Sequence, residues 1–162
     1  MPTDGDAGPV GSGKIAKVEA SGDQAGAPTQ RLLRLIFSLQ GGTIVVADQH
    51  VVEMVAPAGD PVVGFEGQTG FWYEVRNAAE QVLFRQVVHD PIPRSAEVFG
   101  KTPEEPLARL PMAEPSGAFT VLLPLPDDAD HVALVGTPLE ELTGVAAAAE
   151  LARFPIPKEL LP

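Results

Sequence analysis

The chain has no cysteine among its 162 residues. Disulfide bonds, thiolate nucleophiles and cysteine-ligated zinc are therefore excluded. Basic residues are also scarce, since 11 Lys and Arg stand against 22 Asp and Glu, which gives a formal net charge of −11. A nucleic-acid surface needs clustered cations that neutralise phosphates, so this balance argues against a nucleic-acid partner.

Long hydrophobic runs are missing too. No apolar stretch approaches the roughly 18–20 residues that cross a bilayer. The opening residues, MPTDGDAGPVGSG, contain acidic side chains and lack the apolar centre of a secretory signal. We therefore expect a cytoplasmic protein without a membrane span, with export by a route that needs no signal as the alternative.

The motifs of common enzymes are incomplete in this sequence. Gly8–Lys14 matches the glycines and lysine of a phosphate-binding loop, but Ile15 stands where Ser or Thr would bind magnesium. No serine lies in a G-x-S-x-G elbow, and no acidic stretch follows the calcium-loop pattern. The sequence thus predicts no catalytic residue, no cofactor and no metal ligand.

Three histidines each have an aspartate nearby in sequence, and this arrangement leaves an alternative open. The pairs are Asp48 with His50, His89 with Asp90, and Asp130 with His131. If strand ends brought His89 and His131 together with carboxylates, they could form an acid–base pair or bind a metal. The structural interpretation, in which these residues end or begin strands, is favoured because none has the i, i+4 spacing of a helical metal motif.

What the chain does contain is glycine, proline and alternating apolar residues. The 16 Gly and 17 Pro predict many turns and short strands, and 44% hydrophobic residues are enough for one domain with a core. We predict an all-β, immunoglobulin-like antiparallel sandwich with a short C-terminal helix. The Ala-, Gly- and Pro-rich usage resembles that of proteins from high-GC bacteria.

Residues 31–47 predict a first hairpin. Gly41-Gly42 suits a two-residue turn with positive φ at both positions. This turn would pair Leu39 with Ile44 and Phe37 with Val46, and the apolar residues would then share one face.

The most strongly patterned stretch, residues 69–91, predicts a second hairpin. A four-residue loop at 77–80 would place Val75 opposite Val82 and Tyr73 opposite Phe84. The same register places Trp72 opposite Arg85 on the other face. There Trp72 is either an aromatic anchor for a partner, stacked on Arg85, or a residue covered by the rest of the domain.

The remaining segments are less regular. Residues 100–117 contain several prolines and are interpreted as a long connection pinned by Leu107, Leu110 and Met112. Thr137-Pro138-Leu139-Glu140 fits a capping box, which predicts the C-terminal helix. The predicted organisation is a flexible Gly/Pro-rich N-terminal arm (1–29), a β-sandwich (30–136), a helix (137–154) and an apolar tail (155–162).

Residues 70–136 resemble immunoglobulin-like and fibronectin-type sandwiches, with GFWYEV as an aromatic strand and VLFRQVV as its return. The Cys…Trp…Cys spacing of true immunoglobulin domains is absent. The same segment resembles β-sandwich modules attached to bacterial IgA-peptidase-like metallopeptidases, but without an H-E-x-x-H motif no peptidase activity carries over. The resemblance implies an architecture, not an activity.

The favoured functional hypothesis is a non-catalytic β-sandwich that works by protein–protein contact, as an interaction protein or a structural subunit of a larger assembly. Self-association or a hetero-subunit could use the N-terminal arm or the C-terminal tail. The alternatives are a small His/Asp-site hydrolase, with or without a metal, and a sandwich that binds sugars or calcium beside a peptidase-like enzyme. The candidate contact residues are Ile15, Val18, Trp72, Arg85, Leu160 and Leu161.

Overall fold

Antiparallel β-strands make up almost all of the regular structure. The computed structural model describes residues 28–102, 104, 106–140 and 146–162. The strands in these residues are β1 Gln30–Gln40, β2 Thr43–Met54, β3 Phe71–Arg76, β4 Val82–Val88, β5 Ser95–Val98, β6 Ala108–Pro111, β7 Gly117–Pro124, β8 His131–Gly136 and β9 Ala149–Pro155, followed by a 3-10 helix at Lys158–Leu160. The predicted all-β class is confirmed. No helix within the described ranges has the length and apolarity needed to span a membrane.

The strands form three sheets. Sheet A has the order β2-β1-β7, and sheet B has the order β4-β3-β8-β9. Strands β5 and β6 form a separate two-stranded sheet. This sheet and the adjoining residues Phe99 and Leu107 are called the arm, which is distinct from the predicted N-terminal arm. In sheet B the two central strands are buried at nearly every position, all six residues of β8 and five of the six of β3. Both faces of sheet B are therefore covered, one by sheet A and the other by a loop described below.

Sheets A and B pack against each other across one hydrophobic core. Leu33, Leu35, Phe37 and Leu39 all point from β1 into this core, as the alternation of the sequence predicted. Phe37 is fully buried, and its ring centroid lies 5.2 Å from that of Phe119 in sheet A and 5.0 Å from that of Phe154 in sheet B. Aromatic contacts thus join the two sheets at the centre of the core.

A tyrosine adds a polar connection between the sheets. The hydroxyl of Tyr73, on β3, donates to the carbonyl of Leu122 on β7 at 3.1 Å and also contacts the side-chain oxygen of Gln86. Burial raises the pKa of Tyr73 to about 12. The hydroxyl therefore keeps its proton, and remains a donor, throughout the neutral range.

The first hairpin is confirmed in its turn and its register. Gly41 and Gly42 have φ values of 55° and 79°, the left-handed conformation that glycine adopts without a steric penalty. Leu39 pairs with Ile44 and Phe37 with Val46, as predicted. Beyond a bulge next to Phe37 the pairing continues, so that β2 reaches Met54.

The second hairpin is confirmed in its faces, but the predicted register is wrong. Trp72 lies opposite Val87 and Tyr73 opposite Gln86, a shift of two residues that keeps these two side chains on their expected faces. The turn closes when Asn77 N–H donates to the carbonyl of Gln81 at 3.1 Å. A bulge next to Val75 leaves Leu83 of β4 unpaired, so that Val75 lies opposite Phe84 and Arg76 opposite Val82.

The predicted C-terminal helix over 137–154 is not confirmed. Ala149–Pro155 form β9, which pairs with β8 and places Phe154 in the core. Residues 141–145 lie outside the described part of the chain. The helical spacing relied largely on alanines, which bury little apolar area, whereas the strand gives β8 a second neighbour and buries a phenylalanine. Thr137, the predicted N-cap, is buried and its carbonyl accepts from Arg94, and Leu139 and Glu140 after it lie in a turn.

Candidate functional site

The outer face of sheet B is covered by the loop of residues 55–70. The ring of Phe65 packs edge-on against Trp72, with centroids 5.1 Å apart. Asp60 holds the loop to β4, since its N–H donates to the carbonyl of Arg85 and its carboxylate accepts from the N–H of Val87. At the far side Gln68 accepts from the N–H of Ala148 at 2.8 Å. These contacts explain why a face that sequence alternation marks as polar is closed to solvent.

A cluster of hydrogen-bonded side chains lies beneath this loop. It consists of the Glu74 carboxylate with Trp72, Arg76 and Arg85, and is called the clamp. Glu74 is only 2% exposed, yet its carboxylate accepts hydrogen bonds from three residues. Oε1 accepts from Trp72 Nε1 at 2.9 Å and from Arg85 Nε at 2.8 Å, and Oε2 accepts from Arg76 Nε at 2.7 Å. A buried carboxylate is tolerated only when it is paired and fully hydrogen-bonded, which this arrangement achieves.

Arg85 completes the clamp from the opposite strand. Its guanidinium donates to the carbonyl of Pro61 at 2.9 Å and lies over the ring of Phe65 at 4.1 Å and that of Trp72 at 6.0 Å. The predicted stacking of Trp72 on Arg85 is thus present in part. Both residues are buried, at 4% and 6% exposure, so they fasten the loop to the sheet and do not present a free surface.

A network of ion pairs extends from Arg76 of the clamp to charged side chains at the surface. Arg76 donates to Glu150 at 2.8 Å, and Arg153 bridges Glu150 and Glu80. The hydrogen bond from Arg153 lowers the pKa of both glutamates below the ordinary value of 4.5. Burial by itself would lower the pKa of Arg76, but its hydrogen bond to Glu74 and the charges of Glu74 and Glu150 outweigh burial and raise it. This network ties the β3–β4 turn to β9.

We expect the network to make stability depend on pH in the acidic range. Because the pKa of Glu80 and of Glu150 is lower in the folded chain than the ordinary 4.5, their contribution is present above about pH 4.5 and is lost as the pH falls through the folded values. In urea unfolding at a series of pH values, Glu80→Gln/Glu150→Gln should therefore be less stable than wild type at pH 7, with the difference shrinking below pH 4.5. Arg153→Gln should behave in the same way. A difference independent of pH would contradict this assignment.

The three histidines do not form a common site. His131 is buried next to Arg76 in the register of sheet B, whereas His89 follows Val88, which pairs with Phe71 at the other end of β3. The length of β3 separates them, about 17 Å at 3.3 Å per residue. His50 lies on β2 in sheet A. The fold therefore does not bring His89 and His131 together, as the hydrolase alternative would require.

Each histidine has its own local contact. His50 pairs with Asp48 at 2.7 Å on the surface, and Nδ1 of His131 lies 2.9 Å from Asp130. Nδ1 of His89 lies 3.0 Å from the backbone carbonyl of Asp90. Nε2 of His131 is buried, lies 3.6 Å from a Glu80 oxygen and has no hydrogen-bond partner among the residues that the structure describes. Across the described residues, no three His, Asp or Glu side chains are grouped in a way that could hold a metal ion.

The other candidate contact residues lie in different places. Leu160 and Leu161 are partly buried against the core, and the neighbouring Ile156 is 5% exposed, so the tail docks on its own domain. Ile15 and Val18 lie outside the described residues. Of the four described candidates, Trp72 and Arg85 thus lie beneath the loop of residues 55–70, and Leu160 and Leu161 lie against the core.

Four of the ten large apolar side chains that are exposed in the described chain lie on or beside the strands of the arm. All eight residues of β5 and β6 are exposed. Large apolar side chains next to or within these strands are open to solvent, with Phe99 at 80%, Leu110 at 53%, Leu107 at 51% and Val98 at 44% exposure. The prediction that Leu107 and Leu110 pin a connection to the core is therefore wrong. They lie on a hairpin that leaves the body of the domain.

The base of the arm is firmly attached, in contrast to its exposed strands. Arg94, immediately before β5, donates to the carbonyls of Thr137 and Pro138 at 2.8 and 3.0 Å. Its own carbonyl accepts from the N–H of Met112, just after β6, at 2.8 Å. Two residues further back, Ile92 is 4% exposed in the core. The arm is therefore held in a defined position relative to the two larger sheets.

A cleft of about 460 Å³ opens at one end of the core, between β1 and β4. Leu83, Phe84 and Leu125 line it with three prolines, and Arg31 stands at its rim. Its size is in the range of small-molecule sites, but the described lining offers a single charged group.

Comparison with known proteins finds no family model, no curated protein and no solved structure that matches this chain.

Proposed function

We propose that this protein is a non-catalytic, immunoglobulin-like β-sandwich that acts by protein–protein contact, with the β5–β6 arm as its contact surface. The carrying observation is the exposure of four large apolar side chains on the arm: Val98, Phe99, Leu107 and Leu110. Exposed apolar side chains are common singly, but four of them within and beside one short hairpin are typical of an interaction site. A lone two-stranded hairpin is also marginally stable in water, and a partner would supply the missing cover.

The attachment of the arm supports the same proposal. Because Arg94 and Ile92 fix its base, the arm loses little conformational freedom when it binds, and preorganisation of this kind favours affinity. The charged groups of sheet B serve the fold instead, since Glu74, Arg76 and Arg85 are committed to one another. The arm thus replaces Trp72 and Arg85 as the proposed contact surface.

The proposal predicts that apolar residues of the arm carry partner binding. Phe99→Ser/Leu107→Ser should reduce by at least about tenfold the recovery of a protein that co-purifies with the tagged wild-type chain from the cells that produce it. The matched control is Val63→Ser, which removes another exposed apolar side chain, 76% exposed, from the loop of residues 55–70. Both variants should melt like wild type because surface changes cost within about 0.5 kcal/mol.

Quantitative mass spectrometry of the co-purified proteins is the measurement. If the same proteins are recovered in the same amounts with wild type, the arm variant and the control, the arm is not a contact surface and the proposal fails.

A further inference from the structure

The two edges of the arm are not equivalent, and this difference indicates how the arm binds. The described strands include none that pairs with the outer edge of β5 or of β6. An open edge presents unpaired N–H and C=O groups to which another extended segment can bond. Which groups face outward follows from the hydrogen-bond pattern of the arm.

The pattern is fixed at the base of the arm. Met112 N–H donates to the carbonyl of Arg94, and this pair extends by one residue the register in which Ser95 lies opposite Pro111. In an antiparallel ladder hydrogen-bonded pairs alternate with pairs that are not bonded to each other. Ser95 and Glu97 therefore direct their N–H and C=O groups away from β6.

The outer edge of β6 has fewer free hydrogen-bond donors than the outer edge of β5. Arg109 and Pro111 occupy the positions opposite Glu97 and Ser95. Proline has no N–H, so β6 presents one outward donor whereas β5 presents two. The outer edge of β5 is consequently the better template for an added strand.

The side chains next to this edge define the chemistry of the added strand. Ala96 and Val98 lie on one face of β5, and Ser95 and Glu97 on the other. A segment laid along the edge would need apolar side chains beside Val98 and a basic side chain beside Glu97. A second copy of this chain fits poorly, because each copy has a net charge of −11 and two β5 strands would bring two Glu97 side chains onto one short edge.

We infer that the outer edge of β5 accepts an extended partner segment of alternating apolar and basic residues, which adds to the arm as a third strand. The inference rests on the proposed function, since it names how the same arm recognises its partner. Main-chain bonds to Ser95 and Glu97 would supply affinity, and the negative charge of the chain would favour basic over acidic segments.

A pair of proline variants tests the edge directly. Glu97→Pro removes an outward N–H of β5 without removing a bond of the β5–β6 ladder, and Arg109→Pro does the same on β6. Both variants also lose the 2.9 Å ion pair between Glu97 and Arg109, so that loss is matched. Ser95→Pro, next to the anchored base, is the second β5 variant in case Glu97→Pro disorders the arm.

The probe is a short synthetic peptide of alternating lysine and valine with blocked ends, and its binding to the full chain is measured by calorimetry at low salt. Glu97→Pro and Ser95→Pro should each raise the dissociation constant of the peptide by about tenfold, whereas Arg109→Pro should leave it unchanged. Glu97→Gln, which keeps the N–H, should lose less than Glu97→Pro. A peptide of alternating glutamate and valine should bind more weakly than the basic one.

Several results would overturn the inference. They are equal weakening by the β5 and β6 prolines, equal binding of the acidic peptide, or a Glu97→Gln variant as weak as Glu97→Pro. Light scattering that shows a dimer of the full chain, dissolved by Glu97→Pro, would assign the edge to a second copy. If Phe99→Ser/Leu107→Ser abolishes partner recovery but the β5 prolines do not, the arm docks through its side chains alone, and the proposed function survives without strand addition.

Discussion

Replacing Glu74 with alanine is expected to lower the free energy of unfolding by about 3–5 kcal/mol. Among the described residues, the Glu74 carboxylate is the counter-charge of Arg85, whose side chain is 7% exposed, and it also pairs with Arg76. Without it, a guanidinium remains buried without a counter-charge and Trp72 Nε1 loses its acceptor. Breaking one side of a buried pair costs far more than the pair contributes as a whole, because the remaining charge cannot regain its hydration.

Removing both partners should therefore cost less than removing one. Glu74→Leu/Arg85→Met takes the two charges away together, and methionine can keep part of the packing of the Arg85 stem on Phe65. We expect this double variant to recover part of the loss in urea unfolding. The control is Glu97→Ala, which breaks an ion pair whose side chains are 49% and 71% exposed and should cost at most about 1 kcal/mol. Equal losses for Glu74→Ala and Glu97→Ala would contradict the clamp.

The first hairpin could be predicted from sequence because its turn is encoded by residue type. Two consecutive glycines accept positive φ at both central positions, and this fixes the register of everything that follows. The turn of the second hairpin has no glycine. There Glu80 has a φ of 62°, and the Asn77 side chain accepts hydrogen bonds from the N–H groups of Ala79 and Gln81. A non-glycine residue in this conformation gives no compositional signal, so the predicted length of this loop is wrong.

The clamp was missed for the same reason. The predicted register placed Trp72 opposite Arg85, whereas the observed register places Glu74 there. A signal was available, because Glu74 and Arg85 are opposite charges on the outward face of two apolar strands, and pairing them would have corrected the register. The loop of residues 55–70 could not have been predicted to cover this face, since its hydrogen bonds to Arg85 and Ala148 join residues far apart in sequence.

The C-terminal helix and the arm show a different limit. A capping box and helical spacing are local signals, and the pairing of β9 with β8 overrode them. On the arm, the period of the sequence can place Leu110 on one face of a strand, but it cannot show that nothing in the described chain covers that face. Exposure is a property of the assembled sheets, and only the structure reveals it.

Phe37→Ala should be about as damaging as the loss of the clamp, with an expected cost of about 3–5 kcal/mol. Phe37 has no exposed surface and contacts Phe119 across sheet A and Phe154 across the core. Truncation would leave a cavity where the two sheets meet, and the rings on either side belong to strands whose pairing holds them in place. Because domains of this size are stable by only about 5–15 kcal/mol, this loss is a large fraction of the total.

Urea unfolding can follow this change through Trp72, the single tryptophan, which is buried and should shift its emission when the sheets separate. Phe37→Leu should lose less, about 1–1.5 kcal/mol, since it keeps most of the volume. Phe99→Ala removes the same ring from the arm, where it is 80% exposed, and should stay within about 0.5 kcal/mol of wild type. If Phe37→Ala were no more costly than Phe99→Ala, the rings of Phe37, Phe119 and Phe154 would not form a core shared by sheets A and B. The arm could then not be held in a fixed position on that core.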